Sequence, residues 1–319
     1  MNKITIDSNT ALSLLLPLIT LVVSLLLSSF YTGGDQVFYN KLYDTLGGMD
    51  FVSAFEYYQL HLNKVEVVYF IFTWVGGNLG FDKNSWFTLI NVVFSFFYVC
   101  LFRRLGFSPF VIFLFFVTNF YFYVLFFAAD RLKFGFLFLI LALTVSSNRN
   151  RYVLILASVV GHVQMLILHS SFISIYISEK YKSKSFYLLN AKYFIPIAII
   201  VIPLSIYISG HVANKIVSYI DNGGIQSVAK QLVFVVFSMY CCRNWLKVIF
   251  AYFPILVVSF IIGDERVTMF SYAIFMYFSL YKNRGLNIPT FILMSYFGFK
   301  SIVFVDRVIS TGSGFVSVN

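Results

Sequence analysis

The chain has 319 residues, of which 60% are hydrophobic and only 11% charged, with a mean hydropathy of +0.85. That excludes a soluble globular protein, whose surface could not absorb so much apolar area and whose charged share is normally about 25%. The net charge of +10 would suggest nucleic acid in a soluble protein, but in a polytopic membrane protein it reflects cytoplasmic loops that hold the topology, and no nucleic-acid partner is expected.

The apolar run from Ala11 to Phe30, interrupted by Pro17, reaches the roughly 20 residues needed to cross a bilayer. No small-residue cleavage site follows it, so it reads as an uncleaved first helix. A polar segment over 31–64 follows, with Gly33-Gly34-Asp35, Tyr39, Gly47-Gly48 and the acids Asp44, Asp50 and Glu56. Val65 to Gly80 is apolar but short, and fits either a short span or a re-entrant segment. Further spans are expected from Trp86 to Phe102, closed by Arg103-Arg104, from Ser108 to Ala129, from Leu132 to Ser146, and from Tyr152 to Leu168. Ser170 to Ser178 is a short apolar return, and 179–192 is a basic loop. Phe194 to Ser209 carries Pro196 and Pro203, which would bend it. A polar loop over 210–230 precedes apolar runs at Gln231–Cys242, Val248–Gly263, Val267–Tyr281 and Ile288–Val305. The pattern predicts an all-α, polytopic transmembrane bundle of about ten or eleven spans. It forms a single integral membrane domain over 1–319, without internal repeats.

Placing the N-terminus in the cytoplasm, with 65–80 not crossing, gathers most of the basic residues inside and leaves the outside near neutral, as the positive-inside rule asks. The polar loops near 31–64 and 210–230 then lie on the outer face. So do Asp130-Arg131, His169 and Asp264-Glu265-Arg266. Arginines are disfavoured on that face, so Arg131 and Arg266 read as kept for ligand binding or ion pairing.

Arg131 opens an apolar hairpin with Asp130 beside it and Lys133 two residues on. A guanidinium binds phosphate bidentately and keeps its charge near lipid. The blander alternative is an Asp130–Arg131 interfacial pair or a snorkelling cation. His169, before Ser170 and Ser171, could act as a general base, or it could be a polar helix end held by those serines. His162 and Gln164 read as lying deeper in the membrane, where a polar group is costly. Interhelical hydrogen bonding explains them equally well. Glu66, opening an apolar run, could simply favour a helix N-terminus. Cys100, Cys241 and Cys242 form no CxxC pair or disulfide framework, and no metal-ligand spacing is present.

The order Gly34-Asp35 with Tyr39, Glu66 before an apolar segment, Arg131, His169-Ser170, and Glu265-Arg266 before an aromatic helix resembles the EpsG-type and Wzy-type polysaccharide polymerases of bacterial O-antigen, capsule and exopolysaccharide pathways. Gly33-Gly34-Asp35-Gln36 departs from the family's fuller Gly-Thr-Asp-Tyr pattern. The resemblance implies a fold like the GT-C membrane glycosyltransferases, multi-pass in the bacterial cytoplasmic (inner) membrane. It implies glycosyl transfer at the outer face, from a glycan on undecaprenyl diphosphate to a sugar hydroxyl of a second lipid-linked repeat unit. Arg131 and Arg266, helped by Lys133, would steady the diphosphate leaving group. His169, or second Asp35, would be the base. No cofactor or metal is implied. A chain-length regulator and a flippase of the same pathway would be partners. Rival classes are a flippase or transporter of lipid-linked oligosaccharide and a membrane O-acyltransferase acting on a surface glycan.

Overall fold

The structure, a computed structural model, describes residues 8–62, 66–182, 224–263 and 267–315. Among these it is helical, with no strand. Four helices are long and apolar enough to cross a membrane: Ala11–Ser28, Lys83–Leu105, Trp245–Ile262 and Asn283–Thr311. A fifth would be the pair Pro109–Thr118 and Phe120–Ala128, which bends by 56°. Several other helices are apolar but short, Val67–Asn78 and Val267–Ser279 among them. The architecture is that of a multi-pass membrane protein with four or five full-length spans among the described residues, fewer than the ten or eleven the apolar runs suggest. The expected span at Phe194–Ser209 and the loop residues 210–223 lie outside the described residues.

The chain divides into two compact units, Met1–Met165 with Arg284–Asn319, and Leu166–Asn283. In the first unit, α1 (Ser8–Ser28) lies along α5 (Lys83–Leu105). Its amphipathicity is the reverse of a soluble helix. Leu14, Leu18, Leu25 and Leu26 are exposed, while Ser13, Thr20 and Ser24 are buried. Small and hydroxylated residues let membrane helices approach closely, and leucines face lipid.

Three short helices precede α5: α2 (Asp35–Leu46), α3 (Phe51–Leu62) and α4 (Val67–Asn78). Helix α5 starts at an Asp82 cap, whose carboxylate accepts from Ser85 N at 2.9 Å, and ends at Gly106 in the left-handed conformation with Arg103 and Arg104 in its last turn. That is where cations suit the helix dipole. Helix α6 (Pro109–Thr118) breaks at Asn119, whose side chain accepts from Tyr121 N and so caps α7 (Phe120–Tyr123). The chain continues as a π-helical turn over Val124–Ala128.

Helices α8 (Asp130–Thr144) and α9 (Asn148–Gly161) form a hairpin. Gly135 and Gly161 meet where they cross: a Cβ on Gly161 would lie 3.1 Å from Gly135 N. Ser158 donates to Gly135 O at 2.8 Å. The crossing brings the end of α9, with His162 as its C-cap, to the end of the bundle where α8 begins. At 15 and 14 residues, both helices fall short of a full crossing.

The second unit contains most of α10 (Met165–Lys182), α11 (Ile225–Cys241), α12 (Trp245–Ile262) and α13 (Val267–Ser279). The last helix, α14 (Ile288–Thr311), returns to the first unit and packs on α6 and α7.

Candidate functional site

The polar end of the first unit is set by α2. Gly34, at φ 60° and ψ −138°, turns the chain into the helix through a conformation open mainly to glycine. One turn of α2 then points Gln36, Tyr39 and Asn40 inward, at the spacing of a single helix face. Asp35, the first helical residue, faces out and is exposed.

Gln36 and Asn40 hold one charged group. Lys83 Nζ donates to Gln36 Oε1 and to Asn40 Oδ1 at 2.8 Å. Gln36 Nε2 donates onward to Asp130 Oδ2 at 3.0 Å and to Phe127 O at 2.6 Å. Asp130 Oδ1 accepts from Lys133 Nζ at 3.1 Å, which also donates to Phe126 O at 3.1 Å. The carbonyls of Phe126 and Phe127 are available because that stretch is π-helical, which shifts the usual backbone pairing. Lys83 Nζ stands 3.9 Å from Asp130 Oδ2. Asp130 therefore lies between two lysines, and all three are buried.

Tyr39 leads to the second group. Its hydroxyl accepts from Arg131 Nε at 3.0 Å. Arg131 Nη1 donates to both carboxylate oxygens of Glu66, at 3.3 and 3.2 Å. His162 Nε2 lies 3.8 Å from Glu66 Oε1, while its Nδ1 accepts from Gln164 N at 3.3 Å. Tyr58 donates to the backbone carbonyl of Glu66 at 3.2 Å, fixing the start of α4. Burial pushes the Tyr39 hydroxyl up to about 12 although Arg131 pulls it down. Tyr39 is thus a neutral phenol at physiological pH.

The pairing differs from the simplest sequence expectation. Asp130 and Arg131 do not pair with each other. Consecutive helical residues point about 100° apart, so Asp130 turns to the lysines and Arg131 to Glu66. Lys133 is fully enclosed and acts as the counter-ion of Asp130, not as a reaching helper. His169 sits in α10 and belongs to the second unit, whereas the histidine beside Glu66 is His162. Arg266, with Asp264 and Glu265, lies outside the described residues. Gln36, Asn40 and Lys83 were not singled out in the sequence. The available signal was helical spacing after a Gly-Gly turn, and a lysine opening an apolar helix.

Taken together, three cations (Lys83, Arg131, Lys133) face two carboxylates (Asp130, Glu66) in a poorly hydrated setting. Buried charges are tolerated only when paired and hydrogen-bonded, and each of these is. The surplus is cationic. Arg131 is the least enclosed of the five, with 16% of its side chain exposed. The chain matches no protein-family model, no curated protein sequence and no solved structure.

Proposed function

We propose that the chain is a membrane glycosyltransferase of the polysaccharide-polymerase kind, joining lipid-diphosphate-linked repeat units at the outer face of a bacterial inner membrane. One observation carries this reading: a buried, net-cationic array of Lys83, Lys133 and Arg131 against Asp130 and Glu66, gathered at one end of apolar helices. Ionisable groups in such a setting mark functional sites by default. A diphosphate that becomes a leaving group at the membrane surface needs fixed positive charge where its own charge develops.

In this scheme Arg131 changes partner, from Glu66 to the diphosphate. Tyr39 and Glu66 hold the guanidinium in place until then, and His162 steadies Glu66. Arg266 is a second proposed phosphate ligand. The acceptor hydroxyl gives its proton to His169, with Asp35 as the second choice. The donor arrives activated as an undecaprenyl-diphosphate-linked glycan, so the chemistry needs no nucleotide-binding fold. The bundle would be of the GT-C-like type, working beside a flippase and a chain-length regulator.

The deciding measurement is the glycan profile of a strain lacking the chain. Single repeat units should reach the outer face with no ladder of longer chains. Restoring the protein should restore the ladder, and the Arg131→Ala protein, present in the membrane, should not. A normal ladder with Arg131→Ala would defeat the arginine assignment. Repeat units accumulating inside the cell would make the chain a flippase.

A further inference from the structure

Helix α14 lies within one of the four membrane-length stretches, and only one of its sides is packed. Phe297, Ser301 and Phe304 are buried. Ser301 Oγ donates to Thr118 O at 3.1 Å, where α6 ends at the Asn119 break. The other side exposes Ile292, Tyr296, Phe299 and Ile302, as suits a helix that faces lipid. Lys300 stands within that apolar stripe, and it too is exposed.

Its depth is what matters. At about 1.5 Å per residue, the Lys300 Cα lies about 9 Å from the level of Asp306, the next charge along the helix. It lies about 20 Å from the level of Asn287, which caps the other end. Helical side chains lean towards the N-terminus of their helix. Lys300 does so: its Nζ lies 5.2 Å from the ring centroid of Tyr296, one turn back, and 5.5 Å from that of Phe120. The ammonium therefore leans away from the nearer end and rests about 14 Å from either level. A snorkelling lysine would lean the other way. Two ring faces attract a cation but carry no net charge, and among the described residues no carboxylate pairs with Lys300. Lys83 and Lys133, by contrast, share Asp130. An ammonium at mid-bilayer depth without a counter-ion is costly, and such groups mark function by default.

The missing anion must reach the same depth. Phospholipid phosphates sit at the headgroup level, too far from the ammonium. A second copy docked side by side through the same face would offer Asp306, which lies on the side from which Lys300 leans away. An aspartate or glutamate on a different transmembrane helix meets the requirement, and the apolar side chains around Lys300 would pack against that helix. We infer that the exposed side of α14 docks a partner transmembrane helix carrying one carboxylate at mid-bilayer depth, with Lys300 as its counter-ion. This goes beyond the polymerase reading and does not depend on it.

The test places the donor-labelled full chain in phosphatidylcholine vesicles with acceptor-labelled, leucine-rich transmembrane peptides. Each peptide bears a single central Glu, Gln or Lys, and energy transfer reports association. The Glu peptide should associate about ten-fold more strongly than the Gln peptide, the scale of one polar contact between membrane helices, and the Lys peptide least. Lys300→Met, which keeps an apolar stem and removes the charge, should abolish that preference. Lys300→Arg should keep it, which separates a lost charge from a misfolded protein. Equal association of the Glu and Gln peptides overturns the docking surface, as does a preference that survives in Lys300→Met. A preference lost on adding phosphatidylglycerol would make a lipid phosphate the occupant and overturn the helix partner. None of these outcomes touches the polymerase reading, which stands or falls on the glycan ladder.

Discussion

The two units bury polar groups in opposite ways. In the second, Gln231, Ser238, Tyr252 and Ser271 form a chain of neutral hydrogen bonds between helices. Ser271 Oγ donates to Gln231 Oε1 at 2.5 Å, Gln231 Nε2 to Thr268 Oγ1 at 3.1 Å, and Tyr252 Oη to Ser271 O at 3.1 Å. Lys247, at the start of α12, is tied to Tyr277 and Tyr281 at 3.0 and 2.8 Å and to Glu179 at 2.6 Å, whose side chain is 53% exposed. Lys247 is buried, but its carboxylate partner reaches solvent. The first unit instead encloses both members of its ion pairs. Among the described residues, neutral hydrogen bonds link α11, α12 and α13 in their interior, so linking helices does not require an ion pair enclosed on both sides. Enclosing ions costs several kcal/mol each before pairing. Their presence is the physical case for a function in the first unit.

The comparison is tested most severely at Asp130. Asp130→Ala leaves Lys83 and Lys133 enclosed without a carboxylate, and should cost about 3–5 kcal/mol, seen as a large fall in the thermal unfolding midpoint in micelles. Adding Lys133→Met should recover much of it. A loss below about 1 kcal/mol would mean that Asp130 is not a paired buried ion. The proposed base comes next. His169→Ala should cut polymerisation about a hundred-fold, the low end for a general base. Full activity there, with loss in His162→Ala, would confine the chemistry to the first unit. Ser271→Ala, in the neutral network, should cost about 1–3 kcal/mol by leaving Gln231 Oε1 without its donor, with the glycan ladder unchanged. A ladder that shortens would show that the second unit's network serves more than packing.

The membrane class was legible in the sequence, but this contrast was not, and the reason is specific. The membrane class and the all-helical fold follow from composition, and Arg131 stood out because it opens an apolar helix. Helix lengths were less legible. Apolar runs continue through breaks that only the three-dimensional path exposes, so the run from Tyr152 to Leu168 conceals the end of α9 at Gly161 and the turn at His162. That break places His162 beside Glu66, the partner of Arg131. Lys83, Gln36 and Glu66 are separated by tens of residues from Asp130 and Arg131. No local spacing links them; only the inward turn of α2 and the crossing of Gly135 with Gly161 bring them together.

The smallest effect belongs to a carboxylate that is neither buried nor part of the array. Asp82 caps α5 one residue before Lys83, so it fixes the first turn that aims Lys83 at Gln36 and Asn40. Hydrogen bonds from the Ser85 side chain and backbone N–H hold its carboxyl below the ordinary value. A depressed acid contributes stability above its unfolded-state value of about 3.9 and loses it as pH falls through the lower folded value. Asp82→Ala should therefore cost about 1 kcal/mol near neutral pH, as for other helix caps, and the difference from wild type should shrink below pH of about 4. Unfolding midpoints of both proteins across that range check it. A difference that persists undiminished in acid would show that Asp82 acts by shape and not by charge. Asp130 would then stand as the charge-dependent carboxylate of these two, and the contrast with the second unit would rest on ions enclosed on both sides.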